Sequence, residues 1–157
     1  MSQIRAQILP SEIPNTAAAR ITIDAPAEKI FDLLANPRDH HLFDGSGTVK
    51  KAISAPDRLF LGATFSMSMK IKLPYRIKNT VVAFENDKKI SWCHLMKWTW
   101  TYELQDLGNG STQVTESFDA SQIAPFARWW LKKSGAMAHN PKWMAKSLVA
   151  LKAICER

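Results

Sequence analysis

The sequence predicts an α+β chain in which a curved antiparallel sheet of about seven strands wraps a long C-terminal helix, with two short helices after the first strand. Three observations predict it. Phe65, Met67, Met69, Ile71 and Leu73 alternate with Thr64, Ser66, Ser68, Lys70 and Lys72, and Trp98, Trp100, Tyr102 and Leu104 alternate with Lys97, Thr99, Thr101 and Glu103. Period two with one polar side marks half-buried antiparallel strands. A proline-started helical stretch follows the first strand, and Met144, Leu148, Leu151 and Cys155 share one helical face at the C-terminal end.

In chain order, residues 1–16 are polar and carry Pro10 and Pro14, which predicts a flexible arm with at most a short strand. The folded domain is expected over 17–157. Its first strand runs from Ala17 with Ile21 and Ile23 inward, and Ala25-Pro26 ends it and starts a helix, since proline is tolerated in the first turn. Ile30, Phe31, Leu33 and Leu34 give that helix its buried stripe, and Asn36-Pro37 stops it. A short helical turn is expected from Arg38 to Phe43, and a strand from Thr48 to Ser54 after Gly45-Ser46-Gly47. Strands near 64–73, 75–84, 89–95, 97–105 and 112–119 complete a meander, punctuated by Pro74, Asn86-Asp87 and Gly108-Asn109-Gly110. Pro125 opens a helical region that Gly135 weakens, and Asn140-Pro141 is expected to cap and start the last helix.

At 157 residues and 46% hydrophobic the chain can bury a core without staples. Two cysteines, Cys93 and Cys155, are too few for a disulfide framework; reduced thiols and the lack of an apolar N-terminal run point to a cytoplasmic protein with no signal peptide or span. The net charge of +7 would suit an anionic partner. The basic residues are scattered, however, with Lys70, Lys72, Arg76 and Lys78 on the polar side of adjacent strands and Lys132, Lys133, Lys142, Lys146 and Lys152 in the C-terminal helices. That distribution reads as a solvated basic face and speaks against nucleic acid.

Several phrases resemble the helix-grip fold of the START-like (SRPBCC) superfamily, in particular its polyketide cyclase/dehydrase-like branch. They are Ile-Asp-Ala-Pro-Ala-Glu-Lys-Ile-Phe-Asp-Leu-Leu at 23–34, Asp-Gly-Ser-Gly-Thr-Val at 44–49, Trp-Thr-Tyr-Glu-Leu at 100–104 and Thr-Gln-Val-Thr-Glu at 112–116. The resemblance runs from about Ala17 to Arg157 and implies a cavity for a hydrophobic guest, used by many binders and a few enzymes. It also implies that the 38–47 stretch helps close the cavity, with Leu42 and Phe43 in its wall.

The expected wall is Met67, Met69, Ile77, Val81, Trp92, Trp98, Trp100 and Phe118 from the sheet, faced by Met144 and Leu148 from the last helix. Polar Asn79, His94 and Glu116 fall on the same inner face. Simple hairpin register puts Asn79 opposite His94, His94 opposite Trp98 and Tyr102 opposite Glu116. His94 and Glu116 then lie about 15 Å apart, too far for a direct catalytic pair. His94, oriented by Asn79, is the candidate catalytic residue.

No cofactor or metal is expected. His40 and His41 beside Asp39 and Asp44 lack a ligand spacing, and Gly45 and Gly47 lack the Lys-Ser/Thr and helix of a phosphate loop. The leading expectation is a non-catalytic carrier or sensor of a lipid, fatty acid or polyketide-like molecule, as monomer or homodimer. The alternative is a cyclase or dehydratase in which His94 is the general acid or base. Trp129 and Trp130 beside Lys132 and Lys133 combine an apolar wedge with basic flanks, which would allow peripheral contact with an anionic membrane; the competing expectation packs both tryptophans under the last helix.

Overall fold

The computed structural model describes residues 3–70 and 72–157. Eight strands form one antiparallel sheet in the order β1-β2-β8-β7-β6-β5-β4-β3. They are β1 (Gln7–Leu9), β2 (Thr16–Ile23), β3 (Val49–Ser54), β4 (Thr64–Lys70), β5 (Pro74–Glu85), β6 (Lys89–His94), β7 (Thr99–Asp106) and β8 (Thr112–Asp119). The helices are α1 (Ala27–Ala35), α2 (His40–Phe43), α3 (Pro125–Lys133) and α4 (Ala136–Cys155), with a 3-10 turn at Pro37–Asp39.

Alternation sets the strand faces as expected. In β2, Ala17, Ala19, Ile21 and Ile23 are buried, and in β8, Val114, Glu116 and Phe118. Pro26 stands just before α1, whose Ile30, Phe31 and Leu34 are fully buried. Asn36 ends it, and its side chain accepts the Arg38 N–H at 3.1 Å to start the 3-10 turn. Met144, Leu148, Leu151 and Cys155 form the buried stripe of α4, which packs against β2. Full burial of each such apolar side chain contributes about 1.5–3 kcal/mol. Register shifts between Val49 and Lys51, Ala52 and Ser54, and Val81 and Ala83 bend the sheet around this helix.

Three details differ from the sequence expectation. The short strand allowed for the arm forms as β1, which pairs with β2 through Ile8 and Ala19, so the count is eight instead of about seven. Leu73 is 77% exposed instead of inward, because β4 ends at Lys70 and Leu73 belongs to the turn before Pro74; Ile71 lies outside the described residues. The last helix begins at Ala136 rather than Asn140-Pro141. Gly135, at φ 76°, makes the break from α3, so Pro141 sits inside α4 and Asn140 is a buried helical residue instead of a cap. Among the described residues no helix is long and apolar enough to cross a membrane.

Candidate functional site

A cavity of about 310 Å³, partly open to solvent, lies between the concave sheet face, α4, the end of α3 and the α2–β3 loop. Of the residues expected in its wall, Met67, Met69, Ile77, Asn79, Trp92, His94, Trp98, Trp100, Tyr102, Glu116 and Phe118 line it. Val81, Met144 and Leu148 do not; all three are sealed in the core. Alternation gave Val81 its correct face, but Val81 lies past the end of the cavity, where Gly62 and Ala63 continue the β4–β5 ladder through backbone bonds from Val81 N to Ala63 O and from Gly62 N to Val81 O. Met144 and Leu148 belong to the stripe of α4 that packs on the sheet.

The loop after α2 supplies a wall through Asp44, Ser46 and Thr48, in the stretch that the resemblance placed at the cavity's closure. Asp44 accepts from Ser46 N, Ser46 Oγ and Val49 N, which folds 44–49 into a tight cap. Gly45 then lies directly on α4, its N–H donating to Ser147 Oγ at 2.7 Å. Phe43 is buried in the wall as the resemblance implied, whereas Leu42 points outward at 51% exposure.

His40 is the main wall residue that the sequence left unassigned. Its Nε2 lies 2.8 Å from the Leu34 carbonyl oxygen, so Nε2 carries the proton and donates. The ring stacks on Trp92 at 5.1 Å and meets Phe65 edge-on at 5.8 Å. Burial pulls its pKa from 6.5 down to about 4, so the imidazole is neutral near neutral pH.

Two predicted polar pairs meet in register, Asn79 with His94 and Tyr102 with Glu116. Their side chains behave differently. His94 Nδ1 accepts the Met96 N–H at 3.1 Å, and its ring stacks on Trp98 at 4.2 Å. No hydrogen bond among the described residues joins it to the Asn79 side chain, so the turn after β6, and not Asn79, orients the ring. Burial lowers the His94 pKa. With Nδ1 engaged as an acceptor, the neutral ring offers the cavity an N–H donor, not a free base.

Tyr102 and Glu116 face each other across β7 and β8 and are both almost fully buried. Burial raises the Glu116 pKa from 4.5 to about 8; the Tyr102 hydroxyl opposes the shift and the nearby Asp44 charge adds to it. Glu116 is therefore mostly a neutral acid at pH 7, and its Oε2 has no hydrogen-bond partner. Burial likewise pushes the Tyr102 hydroxyl well above its ordinary value, so it stays protonated. The wall is thus aromatic and thioether surface carrying uncharged buried polar groups.

The two tryptophans of α3 divide between the roles expected for them. Trp130 lines the cavity and stacks on Trp98 at 6.3 Å, while Trp129 is 55% exposed and packs beside Phe126. Among the described residues no group of His, Cys, Asp and Glu is placed to hold a metal.

The chain is 38% identical over 107 residues to Rv0088, an uncharacterized protein of Mycobacterium tuberculosis, a match covering 68% of this chain and 48% of that protein. It thus spans about half the length of the curated relatives it matches. No protein-family model matches the sequence. The solved structure of the Polyketide_cyc-like protein Cgl2372 from Corynebacterium glutamicum superposes with a TM-score of 0.62 at 16% identity, covering 93% of each chain. The Zhui aromatase/cyclase from Streptomyces sp. R1128 superposes with a TM-score of 0.67 at 13% identity, covering 90% of this chain and 93% of that one. The fold is a helix-grip fold, shared with these Polyketide_cyc-like and aromatase/cyclase structures.

Proposed function

We propose that this protein binds a small hydrophobic molecule in the internal cavity, as a carrier or sensor. The observation that carries this reading is the wall itself, where Met67, Met69, Trp92, Trp100 and Phe118 surround open space instead of closing it. Such a concave apolar surface with few convergent polar groups is the form of a small-molecule site. Met69→Trp places a large ring in that space from a half-buried position. The variant is expected to stay folded and to bind N-phenyl-1-naphthylamine more than tenfold more weakly than the wild type, by fluorescence titration. Unchanged binding by a folded variant would count against the cavity. The enzymatic reading with His94 has less support, because the lone pair a base would need is held by Met96 N–H.

A membrane is the source of the guest that best suits the surface around the cavity. The β4–β5 turn, the β6–β7 turn and α3 meet at one end of the sheet, since Trp130 of α3 stacks on Trp98. Leu73, Leu95, Phe126 and Trp129 are exposed there, and Lys133 Nζ lies 4.9 Å over the Trp129 ring. No Asp or Glu occurs between Asp119 and Glu156, and Lys132 and Lys133 flank the exposed rings. Apolar wedges with basic flanks gain about 1 kcal/mol per lysine at an anionic surface. Sedimentation with vesicles at low salt is expected to show binding when phosphatidylglycerol is present and none with phosphatidylcholine alone, with Phe126→Ala/Trp129→Ala reducing it severalfold. An absence of binding to either vesicle would retire the membrane as partner.

A further inference from the structure

We propose that Glu116, together with Tyr102, is a polar anchor in the cavity wall that takes the hydroxyl or carbonyl oxygen of an otherwise apolar guest, and that a carboxylate is rejected there. The inference rests on the cavity being a binding site. Three observations carry it. Glu116 belongs to the cavity wall, is only 3% exposed, and leaves Oε2 without a partner. A buried polar atom left unpaired costs about 1–3 kcal/mol, which a guest that pairs with it recovers. The other buried polar side chains of the wall, His40, Asn79, Tyr102, Asn140 and Ser147, carry no positive charge, and among the described lining residues Arg76 is the one Lys or Arg, on the exposed part of β5.

The chemistry follows from that charge distribution. A protonated carboxyl donates through its O–H and accepts through its carbonyl oxygen, so it can satisfy a hydroxyl in either sense and a ketone as donor. Its high pKa keeps that proton in place near neutrality. A guest carboxylate would enter beside Asp44 and Glu116 with no buried cation to offset its desolvation. An ammonium guest would have to ionise Glu116 and shed its own water against a chain of net charge +7. Asp44 offers it little, since both carboxylate oxygens are already engaged by Ser46 and Val49.

Calorimetric titration at pH 6.5 with naphthalene, 2-naphthol, 2-naphthoate and 2-naphthylmethylammonium holds the apolar shape fixed while the polar group changes. The wild type is expected to bind 2-naphthol about tenfold more tightly than naphthalene and to bind both charged probes more weakly than naphthalene. Glu116→Leu should erase the preference for 2-naphthol and leave naphthalene binding intact, and Glu116→Gln, which keeps a donor and an acceptor, should retain part of it. A naphthoate or ammonium probe binding as tightly as 2-naphthol, or an undiminished preference in folded Glu116→Leu, would overturn the anchor while leaving the cavity standing. Failure of all four probes, naphthalene included, would overturn the cavity reading and the anchor with it.

Discussion

Between pH 6.5 and 8 the protein is expected to lose about 2 kcal/mol of unfolding free energy, and Glu116→Gln to abolish that loss. The sign follows from where the protons sit. Glu116 titrates at about 8 when folded against an ordinary 4.5, so across that interval the folded chain holds a proton that the unfolded chain has released. Its stabilising contribution is complete below 4.5 and is lost as pH rises through about 8, at roughly 1.4 kcal/mol per pH unit. His40 has the opposite sense: its folded pKa of about 4 lies below 6.5, so its contribution is present above 6.5 and is lost as pH falls through about 4. Below 6.5 the slope of Glu116 is opposed by His40 and by His94, whose pKa burial also lowers, and above 6.5 Glu116 acts alone among the three. Urea unfolding at a series of pH values is the measurement. A slope unchanged in Glu116→Gln would mean that the carboxyl is already ionised in the folded protein.

Gly45→Ala is expected to destabilise the fold by about 3 kcal/mol, far more than an exposed loop glycine would suggest. A Cβ at Gly45 would lie 2.2 Å from the Trp143 carbonyl oxygen and 2.5 Å from Ser147 N, both backbone atoms of α4. Neither can yield without moving the helix or the loop. Relief by displacement would also break the bond from Gly45 N to Ser147 Oγ, which in turn donates to Trp143 O. Gly47→Ala is the control, because nothing lies within 4 Å of its Cβ and only its φ of +68° opposes the change. That costs about 1 kcal/mol. Equal losses for the two variants in urea unfolding would show that the contact of the loop with α4 is not tight.

Local rules carried the sheet and much of the cavity wall. Inward parity placed Met67, Trp92, Trp100 and Phe118 correctly, and hairpin register put Asn79 opposite His94 and Tyr102 opposite Glu116. Parity gives a face but no depth, so it does not separate Ile77, which lines the cavity, from Val81, which is sealed in the core. The wall contributed by Asp44, Ser46 and Ser147 depends on the seating of Gly45 on Ser147, 102 residues further along the chain, for which periodicity has no signature. Asn140-Pro141 misled for a different reason. The same two residues that start a helix can lie within one if the preceding turn is held elsewhere, as Gly135 and its left-handed φ allow.

Pro141 leaves a mark on α4 beyond the position of its first turn. It has no N–H for the Met137 carbonyl oxygen, so one rung of the helix ladder is missing between Ala136 and Met144. Beyond that gap Met144, Leu148 and Leu151 are locked in the core while Trp143 and Ser147 still face the cavity; before it, Ala136 and Asn140 form part of the wall next to Gly135 with its φ of 76°. The first turn of α4 is therefore a short stretch of cavity wall set between two breaks in helical regularity, at Gly135 and Pro141. Its amides are expected to exchange faster than those beyond Met144 in hydrogen–deuterium exchange, because one rung is missing and fewer core contacts hold them.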